Sequence, residues 1–233
     1  MRAPLPLPAF ARVIRFDATS QHGPGLDHFS GLRVFPDFVS QSEAAALLRE
    51  IEGAPFVPSQ SGKQKQHYGP KMNFTKRKMN ASAFRGIPDY AHRLEARLRA
   101  QATDPALVSA LSRYQTTDVF VLRYLEAQQS NLDFHSDDEY AYGEVILDLS
   151  LESDAVLTFH HGATGDCVQV EIPARSLAVL FGAARYQWEH AILASDIRGR
   201  RTSITLRTLG DEPRRTEAGM KVLQEARSGC SAS

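Results

Sequence analysis

The sequence has few cysteines and no net charge, and each shortage excludes a class of protein. Its two cysteines, Cys167 and Cys230, are too few for a disulfide scaffold or a zinc cluster, which favours a reducing compartment. Lysine plus arginine (27) balance aspartate plus glutamate (27), so no overall field attracts nucleic acid or a membrane surface. No apolar run approaches the roughly 20 residues that span a bilayer, and the proline-broken N-terminus lacks a signal-peptide core. We therefore expect an intracellular protein, cytoplasmic or nuclear, with no membrane partner. The sequence does not fix its oligomeric state, for which a monomer is favoured.

Several common motifs are also missing. The chain has no glycine-rich phosphate loop, no serine-centred nucleophile elbow, no Cys-x-x-Cys pair and no internal repeat. What is present is ordinary: 233 residues, 42% hydrophobic and 23% charged. This composition is typical of one soluble domain that is large enough to bury a core.

The first half of the chain carries helical patterns. Ser40 followed by Glu43 forms a capping box, and the apolar stripe behind it predicts a helix that Gly53 ends. Apolar residues at every fourth position predict a second helix over residues 88–102. Residues 103–113 have room for a further short helix.

The two ends of the chain are more polar than its middle. Residues 1–31 read as an irregular extension, with a short strand near 11–16. A single domain is predicted over residues 32–210, and the tail over 211–233 has a helical pattern at 216–227.

From Asp118 onwards the pattern changes to short β-rich runs separated by Gly, Pro, Asp and Ser. Such runs are typical of a sandwich or jelly roll. Because helices come first and strands follow, we expect an α+β protein with helices packed on one face of an antiparallel sheet pair. The predicted strands are 119–124, 144–151, 155–160, 167–172, 176–181 and 201–207.

Acidic residues are absent from residues 53–88, although the whole chain is neutral. Seven basic residues lie there, with His67, Tyr68 and Phe74 among them: Lys63, Lys65, Lys71, Lys76, Arg77, Lys78 and Arg85. The segment is long for a plain connection. It is therefore predicted to be a basic substrate-recognition lid that contacts phosphates or an acidic partner. The alternative is a solvated basic loop.

His135 and Asp137 form a possible metal site. On a strand, residues i and i+2 point to one face, so both side chains can reach one ion. With His190 as third ligand they would form the facial triad of non-haem Fe(II) oxygenases, which leaves positions open for cosubstrate and oxygen. Each of the three alone is more often structural than a ligand. The alternative ligands are His160, His161, Asp138 and Glu139, and Asp138 should face away if the strand continues.

Arg201 and Arg207 are six residues apart, so a regular strand projects both from one face, together with Ser203 and Thr205. Two buried guanidiniums are costly unless anions pair with them. A dicarboxylate would supply two anions in bidentate geometry. The alternative is a pair of surface arginines beside the basic run 198–201.

The order His135-x-Asp137, His190, Arg201-x-Ser-x-Thr-x-Arg207 resembles the AlkB family of Fe(II)/2-oxoglutarate-dependent dioxygenases. The resemblance covers roughly residues 32–210. Four longer segments resemble the subfamily of the fourth animal AlkB homologue, and they are more specific than the metal motif. These segments are 59–63, 68–74, 173–177 and 182–192.

This resemblance implies a double-stranded β-helix (jelly roll) with N-terminal supporting helices. It implies that His135, Asp137 and His190 hold Fe(II), that Arg201 and Tyr124 bind the distal carboxylate of 2-oxoglutarate, and that Arg207 lies near the other carboxylate. It also implies that O2 and 2-oxoglutarate are consumed while an N-methyl group is hydroxylated and lost as formaldehyde.

The sequence departs from the family pattern at three places. Ser203 stands where the family has asparagine, and Leu122 stands where asparagine is frequent, which weakens the expected hydrogen bonding to 2-oxoglutarate. Tyr124 lies eleven residues before His135, so the loop 126–130 is expected to be long. No metal ligand or anchoring arginine is lost.

The substrate that the resemblance implies is either mono-methylated lysine of a protein such as actin, or N-methyladenine in DNA. Zero net charge favours the protein. Tyr68 and Phe74 could stack on a base, but we expect them to be core residues. A catalytically silent interaction scaffold is the alternative of another class, and a cupin-type metal enzyme without 2-oxoglutarate is a further one. The predicted substrate contacts are Lys63, Lys65, Tyr68, Lys71, Phe74 and Glu139.

Overall fold

The computed structural model describes residues 7–18, 21 and 28–228. Its helices are α1 Gln41–Glu52, α2 Asp89–Gln101, α3 Pro105–Leu111, α4 Gly182–Tyr186, α5 Asp211–Arg214 and α6 Glu217–Arg227. In this part of the chain no helix is long and apolar enough to cross a bilayer. The predicted irregular structure at 1–6, 19–20 and 22–27, and the tail end 229–233 with Cys230, lie outside the described residues.

The strands fall into two large sheets and one hairpin. They are β1 Arg12–Arg15, β2 Leu32–Phe35, β3 Val57–Pro58, β4 Gln64–Tyr68, β5 Lys71–Asn73, β6 Lys78–Asn80, β7 Asp118–Leu125, β8 Leu132–His135, β9 Tyr142–Leu151, β10 Ala155–His160, β11 Asp166–Ile172, β12 Leu177–Leu180, β13 Glu189–Ile192 and β14 Arg200–Leu209. One sheet has the order β1-β11-β10-β13-β8, the other β2-β12-β9-β14-β7-β4-β3, and β5 pairs with β6. Helices combine with strands that pair mostly antiparallel, as the α+β prediction requires, although β1 pairs parallel with β11.

The chain divides into two compact units. As far as the structure describes them, the first contains Met1–Gln66, Val121–Ser136 and Asp148–Ile204. The second contains His67–Phe120, Asp137–Leu147 and Thr205–Ser233. Strands β4, β7, β9 and β14 each have residues in both units.

Within the first unit, the β1-β11-β10-β13-β8 sheet fixes the positions of two histidines. β10 pairs antiparallel with β13, which places His190 opposite Phe159. β13 in turn pairs antiparallel with the edge strand β8, which places His190 opposite His135. Directly opposed residues in neighbouring strands project to the same face. The sheet register therefore brings two imidazoles together from positions 55 residues apart in the sequence.

Helix α1 belongs to the first unit and confirms the predicted capping box. The Ser40 side chain accepts a hydrogen bond from the Glu43 amide, and the Glu43 carboxylate accepts one from the Ser40 amide. The helix buries an apolar stripe, including Leu47 and Ile51. Gly53 ends it as predicted.

The second unit holds α2, α3, α6 and the β5–β6 hairpin. The hairpin repeats the sequence Lys-Met-Asn in both strands, and Met72 pairs with Met79. The methionines are half-buried, and the flanking lysines and asparagines are exposed. Because side chains alternate across a strand, this pattern leaves one face of the hairpin polar and basic.

The predicted elements appear with small shifts. Helix α2 spans Asp89–Gln101, and α6 spans Glu217–Arg227 with Thr216 as its cap. The loop at 126–130 contains a short 3-10 helix, Glu126–Gln128. Strand β13, which carries His190, was not predicted, because its four residues are too few to show an alternation. The basic segment 53–88 is also more ordered than a solvated loop, since it contains β3, β4, β5 and β6.

Candidate metal and cosubstrate site

The two histidines of the predicted triad lie side by side in the first unit. The ring centroids of His135 and His190 are 4.4 Å apart. His135 Nδ1 is 2.9 Å from the carbonyl oxygen of Asp133, an acceptor, so this nitrogen carries the proton. The Nε2 atom is then the one with a free lone pair for a metal ion.

Asp137 supplies the third possible ligand. One ligand atom from each of His135, Asp137 and His190 lies within 4.8 Å of the others. The prediction that Asp137 lies on the same strand as His135 is wrong, because β8 ends at His135. The chain turns there instead, and Asp138 accepts a hydrogen bond from the Ala141 amide in that turn. Two imidazoles and one carboxylate at this spacing fit the donor set of a facial Fe(II) triad.

The alternative ligands lie elsewhere. The buried His160 ring packs against Phe10 and Phe134, with centroid distances of 5.8 Å to each. The half-exposed His161 lies 3.1 Å through Nδ1 from the Thr164 hydroxyl. Glu139 is exposed.

Arg207, in the second unit, is held between two carboxylates. Its Nη1 donates to Asp137 Oδ1 at 2.6 Å, and its Nε and Nη2 donate to Asp118 Oδ1 at 2.9 and 2.7 Å. Its guanidinium carbon also lies 3.8 Å from the centroid of the Tyr142 ring. Burial alone would lower the pKa of Arg207, but Asp118, Tyr142 and Asp137 raise it above its ordinary value. The cation is therefore permanent and orients the Asp137 carboxylate.

Arg201 has a comparable setting in the first unit. Its side chain is only 1% exposed, and it donates to Asp148 Oδ2 at 2.9 Å and to Ser150 Oγ at 3.0 Å. Its guanidinium carbon lies 5.2 Å from the centroid of the Tyr124 ring. Burial raises the pKa of Tyr124 to about 12, while Arg201 and a hydrogen bond with Ser203 oppose that rise. Tyr124 therefore stays protonated.

These contacts correct one step of the sequence argument. A dicarboxylate was expected to supply the anions that two buried arginines need. The protein already supplies a carboxylate to each, Asp148 to Arg201 and both Asp118 and Asp137 to Arg207. Burial of the arginines alone therefore does not require a bound dicarboxylate. The carboxylates were missed because Asp148 and Asp118 lie 53 and 89 residues from their arginines.

Lys63 differs from an exposed lid lysine. It is 6% exposed, its ammonium donates to the carbonyl of Asn131, and it lies 5.9 Å from the centroid of the Tyr124 ring. Burial lowers the pKa of Lys63 to about 8, an effect that Asp133 partly opposes. Lys63 therefore lies next to a predicted cosubstrate residue, Tyr124, and is not an exposed surface lysine.

The other predicted substrate contacts spread over two strands and a hairpin tip. Lys65 and Tyr68 are half-buried on β4, and Lys71 is exposed on β5. The expectation that Phe74 is a core residue is wrong, because its side chain is 51% exposed. Its ring centroid lies 6.4 Å from that of Tyr142, which itself stacks on Arg207.

Comparison with known proteins agrees with this arrangement. Residues 31–207 match the family model of the 2OG-Fe(II) oxygenase superfamily. The chain is 33% identical over 183 residues to a Caenorhabditis elegans protein named DNA N6-methyl adenine demethylase, covering 78% of this chain and 61% of the relative. It is 33% identical over 234 residues to human alpha-ketoglutarate-dependent dioxygenase alkB homolog 4, covering 86% of this chain and 75% of the relative. The chain thus spans about three fifths of the worm relative's length.

A solved structure shares the fold. The structure of OsALKBH1 superposes with a TM-score of 0.58 at 16% identity, covering 77% of this chain and 97% of that chain. This likeness confirms the predicted jelly roll of the AlkB-like oxygenases. Because the family model matches most of the chain, the chain belongs to the 2OG-Fe(II) oxygenase superfamily and, within it, to the AlkB family of dioxygenases that use Fe(II), 2-oxoglutarate and O2.

Proposed function

We propose that this protein is an Fe(II)/2-oxoglutarate-dependent oxidative N-demethylase. The observation that carries the proposal is the convergence of His135, Asp137 and His190, whose ligand atoms lie within 4.8 Å of one another. Two arginines on β14, the buried Arg201 and the largely buried Arg207, provide the cations that a dianionic cosubstrate needs.

The side chains around the triad would prepare it for a metal ion. The Asp133 carbonyl fixes the His135 tautomer, and a hydrogen bond from Arg207 holds one carboxylate oxygen of Asp137 in place. Bound Fe(II) would supply the oxidising chemistry in which O2 and 2-oxoglutarate give succinate, CO2 and a hydroxylated N-methyl group that leaves as formaldehyde. The protein's own work is to orient both organic reactants and to limit the access of water.

To bind Arg201 and Arg207, the cosubstrate would have to share these guanidiniums with the protein carboxylates that already contact them. Arg201 pairs with Asp148, whose side chain is 16% exposed, so the ion pair is reachable from its Asp148 side. A carboxylate of 2-oxoglutarate can share the Arg201 guanidinium, because a guanidinium has five N–H donors and Ser150, Asp148 and Tyr124 do not use all of them. Tyr124, which stays protonated, is a further donor at the same place.

A specific feature favours methylated DNA as the substrate. The β5–β6 hairpin presents Lys71, Lys76, Arg77 and Lys78 as exposed cations, with the exposed ring of Phe74 among them. Cations that track a phosphate backbone, together with an aromatic ring that stacks on bases, are the usual means of binding single-stranded or flipped nucleotides. The name of the worm relative describes the same substrate class.

Mono-methylated lysine of a protein such as actin is the second candidate substrate. The chain's zero net charge supports it, since nucleic-acid binders commonly carry an excess of positive charge. The exposed basic hairpin would then contact an acidic surface of the partner protein. The two substrates differ in salt dependence, because DNA binding weakens steeply as salt rises.

The test measures succinate formed from 2-oxoglutarate by Fe(II)-loaded protein. The reaction is run alone, with an N6-methyladenine oligonucleotide, and with a mono-methyl-lysine actin peptide. We expect turnover to rise with one methylated substrate, with formaldehyde in equal amount, and to vanish in His135→Ala. His161→Ala is the matched control, since it removes an imidazole outside the triad. Metal binding without any turnover would instead support the scaffold alternative.

A further inference from the structure

A buried carboxylate links the basic segment 53–88 to Arg207. Asp118, at the start of β7, has a side chain that is 2% exposed and accepts hydrogen bonds through both oxygens. Arg207 donates twice to Oδ1, while His67 Nε2 lies 2.6 Å from Oδ2. Burial alone would raise the pKa of Asp118, but Arg207 and His67 hold it below its ordinary value.

Within the predicted lid, the backbone of residues 67–69 passes close to the Asp118 carboxylate. His67 lies on β4, and two residues later a Cβ atom at Gly69 would stand 2.2 Å from Asp118 Oδ2. No real side chain tolerates that distance to a buried oxygen, so only glycine fits there. The path of residues 67–69 is therefore set by the position of the Asp118 carboxylate.

On the other side, the same guanidinium reaches the metal ligand. Arg207 uses Nη1 for Asp137 and its other two nitrogens for Asp118. A second contact leads from the hairpin to this guanidinium, since Phe74 neighbours Tyr142 and Tyr142 stacks on Arg207 at 3.8 Å. Two separate parts of the lid, His67 and Phe74, are thus each connected to the Arg207 guanidinium through one intervening residue.

The hydrogen bonds from His67 to Asp118, and from Arg207 to Asp118 and Asp137, connect the lid to the metal ligand, so a movement at one end affects the other. If substrate binding shifts β4 or the hairpin, Asp118 exchanges hydrogen bonds between His67 and Arg207, because a buried carboxylate oxygen left without a donor is costly. The orientation of Arg207 then changes, and with it the positive charge available to a cosubstrate.

We propose that His67 and Asp118 are positioning residues that make methylated substrate and 2-oxoglutarate bind cooperatively. The proposal rests on the function proposed above and adds to it a route between the two binding events. Linkage requires the effect to be reciprocal, so each ligand raises the affinity for the other by the same factor, and couplings of this kind are typically about 5- to 150-fold.

The test measures 2-oxoglutarate binding by calorimetry on Mn(II)-loaded protein, so that no turnover is needed. Binding is measured alone, with the N6-methyladenine oligonucleotide and with the mono-methyl-lysine peptide. In the wild type we expect one of these substrates to tighten 2-oxoglutarate binding at least about 5-fold. In His67→Ala the tightening should be lost, so that 2-oxoglutarate binds with the same affinity with and without substrate, because Asp118 then has no second partner to exchange. Asp118→Asn should weaken 2-oxoglutarate binding itself by about 10- to 100-fold, as loss of a residue that orients a site typically does.

Asp166→Asn is the matched control. Asp166 is another buried carboxylate between an arginine and a histidine, Arg12 at 2.9 Å and His28 at 3.4 Å, and it lies in the first unit. Its variant should keep both the affinity and the tightening. Equal losses in Asp166→Asn and Asp118→Asn would overturn the proposal in favour of general destabilisation. So would tightening that persists in His67→Ala, or a wild type that binds 2-oxoglutarate without tightening. A wild type that does not bind 2-oxoglutarate would instead refute the proposed function.

Discussion

The role of Arg201 can be tested by separating what it does for the fold from what it does for 2-oxoglutarate. Arg201→Met removes the cation and leaves Asp148 without its ion-pair partner at 2.9 Å. Breaking a buried ion pair from one side costs about 3–5 kcal/mol, and the 16% exposure of Asp148 places this case near the lower figure, about 3 kcal/mol. Adding Asp148→Asn removes the stranded charge, so the double variant should lose only about 1 kcal/mol, the cost of an ordinary hydrogen bond.

Binding should behave differently from stability. A charge-assisted anchor is worth about 2–3 kcal/mol, so both variants should bind 2-oxoglutarate roughly 30- to 140-fold more weakly than the wild type. Urea unfolding measures the stability difference, and calorimetry on Mn(II)-loaded protein measures the affinity. A double variant that binds 2-oxoglutarate with wild-type affinity would refute the anchoring role and leave Arg201 as a structural partner of Asp148.

Three further predictions follow from the same contacts. His135→Ala and Asp137→Ala should each abolish stoichiometric Mn(II) binding by calorimetry, and His161→Ala should retain it. Burial lowers the pKa of Lys63 from 10.5 to about 8. Burying the charged ammonium therefore destabilises the fold in full below about pH 8, and this destabilisation disappears as the pH rises from about 8 to 10.5. Urea midpoints should show the wild type gaining stability relative to Lys63→Met across that pH window, and a constant difference would contradict the burial of the charge. If DNA is the substrate, Lys78→Ala should lower the slope of log affinity against log salt by about 0.7–0.9 in fluorescence anisotropy, and an unchanged slope would show that Lys78 makes no phosphate contact.

The sequence predicted best where a single local rule decides the structure. The Ser40–Glu43 capping box depends on residues three apart, and the structure has both of its hydrogen bonds. The strand runs after Asp118 were equally readable, because alternation within a strand needs no distant partner. The pairing of His135 with His190 was inferred from residue types, and the register of β8 with β13 supplies its physical reason.

The failures share a different cause, because they concern partners that only the tertiary fold selects. Arg201 and Arg207 were recognised, but their protein anions were not, since nothing local marks Asp148 or Asp118 as the residue that will meet an arginine. Phe74 was expected in the core on residue type alone. It lies at a hairpin tip, where the half-buried methionines of β5 and β6 take the apolar side and leave the ring 51% exposed.

The partners that were missed also change how the site should be understood. Two arginines without a protein anion would be unpaired cations, and their side chains would be poorly ordered until the cosubstrate binds. Here each is fixed by a carboxylate, so Arg207 can orient Asp137 before any ligand binds. If 2-oxoglutarate binds these arginines as proposed, it must share or displace contacts that Asp148 and Asp118 already make, and its affinity is lowered by that competition. Because Asp118 also contacts His67, substrate bound at the proposed lid would, through the coupling proposed above, shift that competition in favour of the cosubstrate.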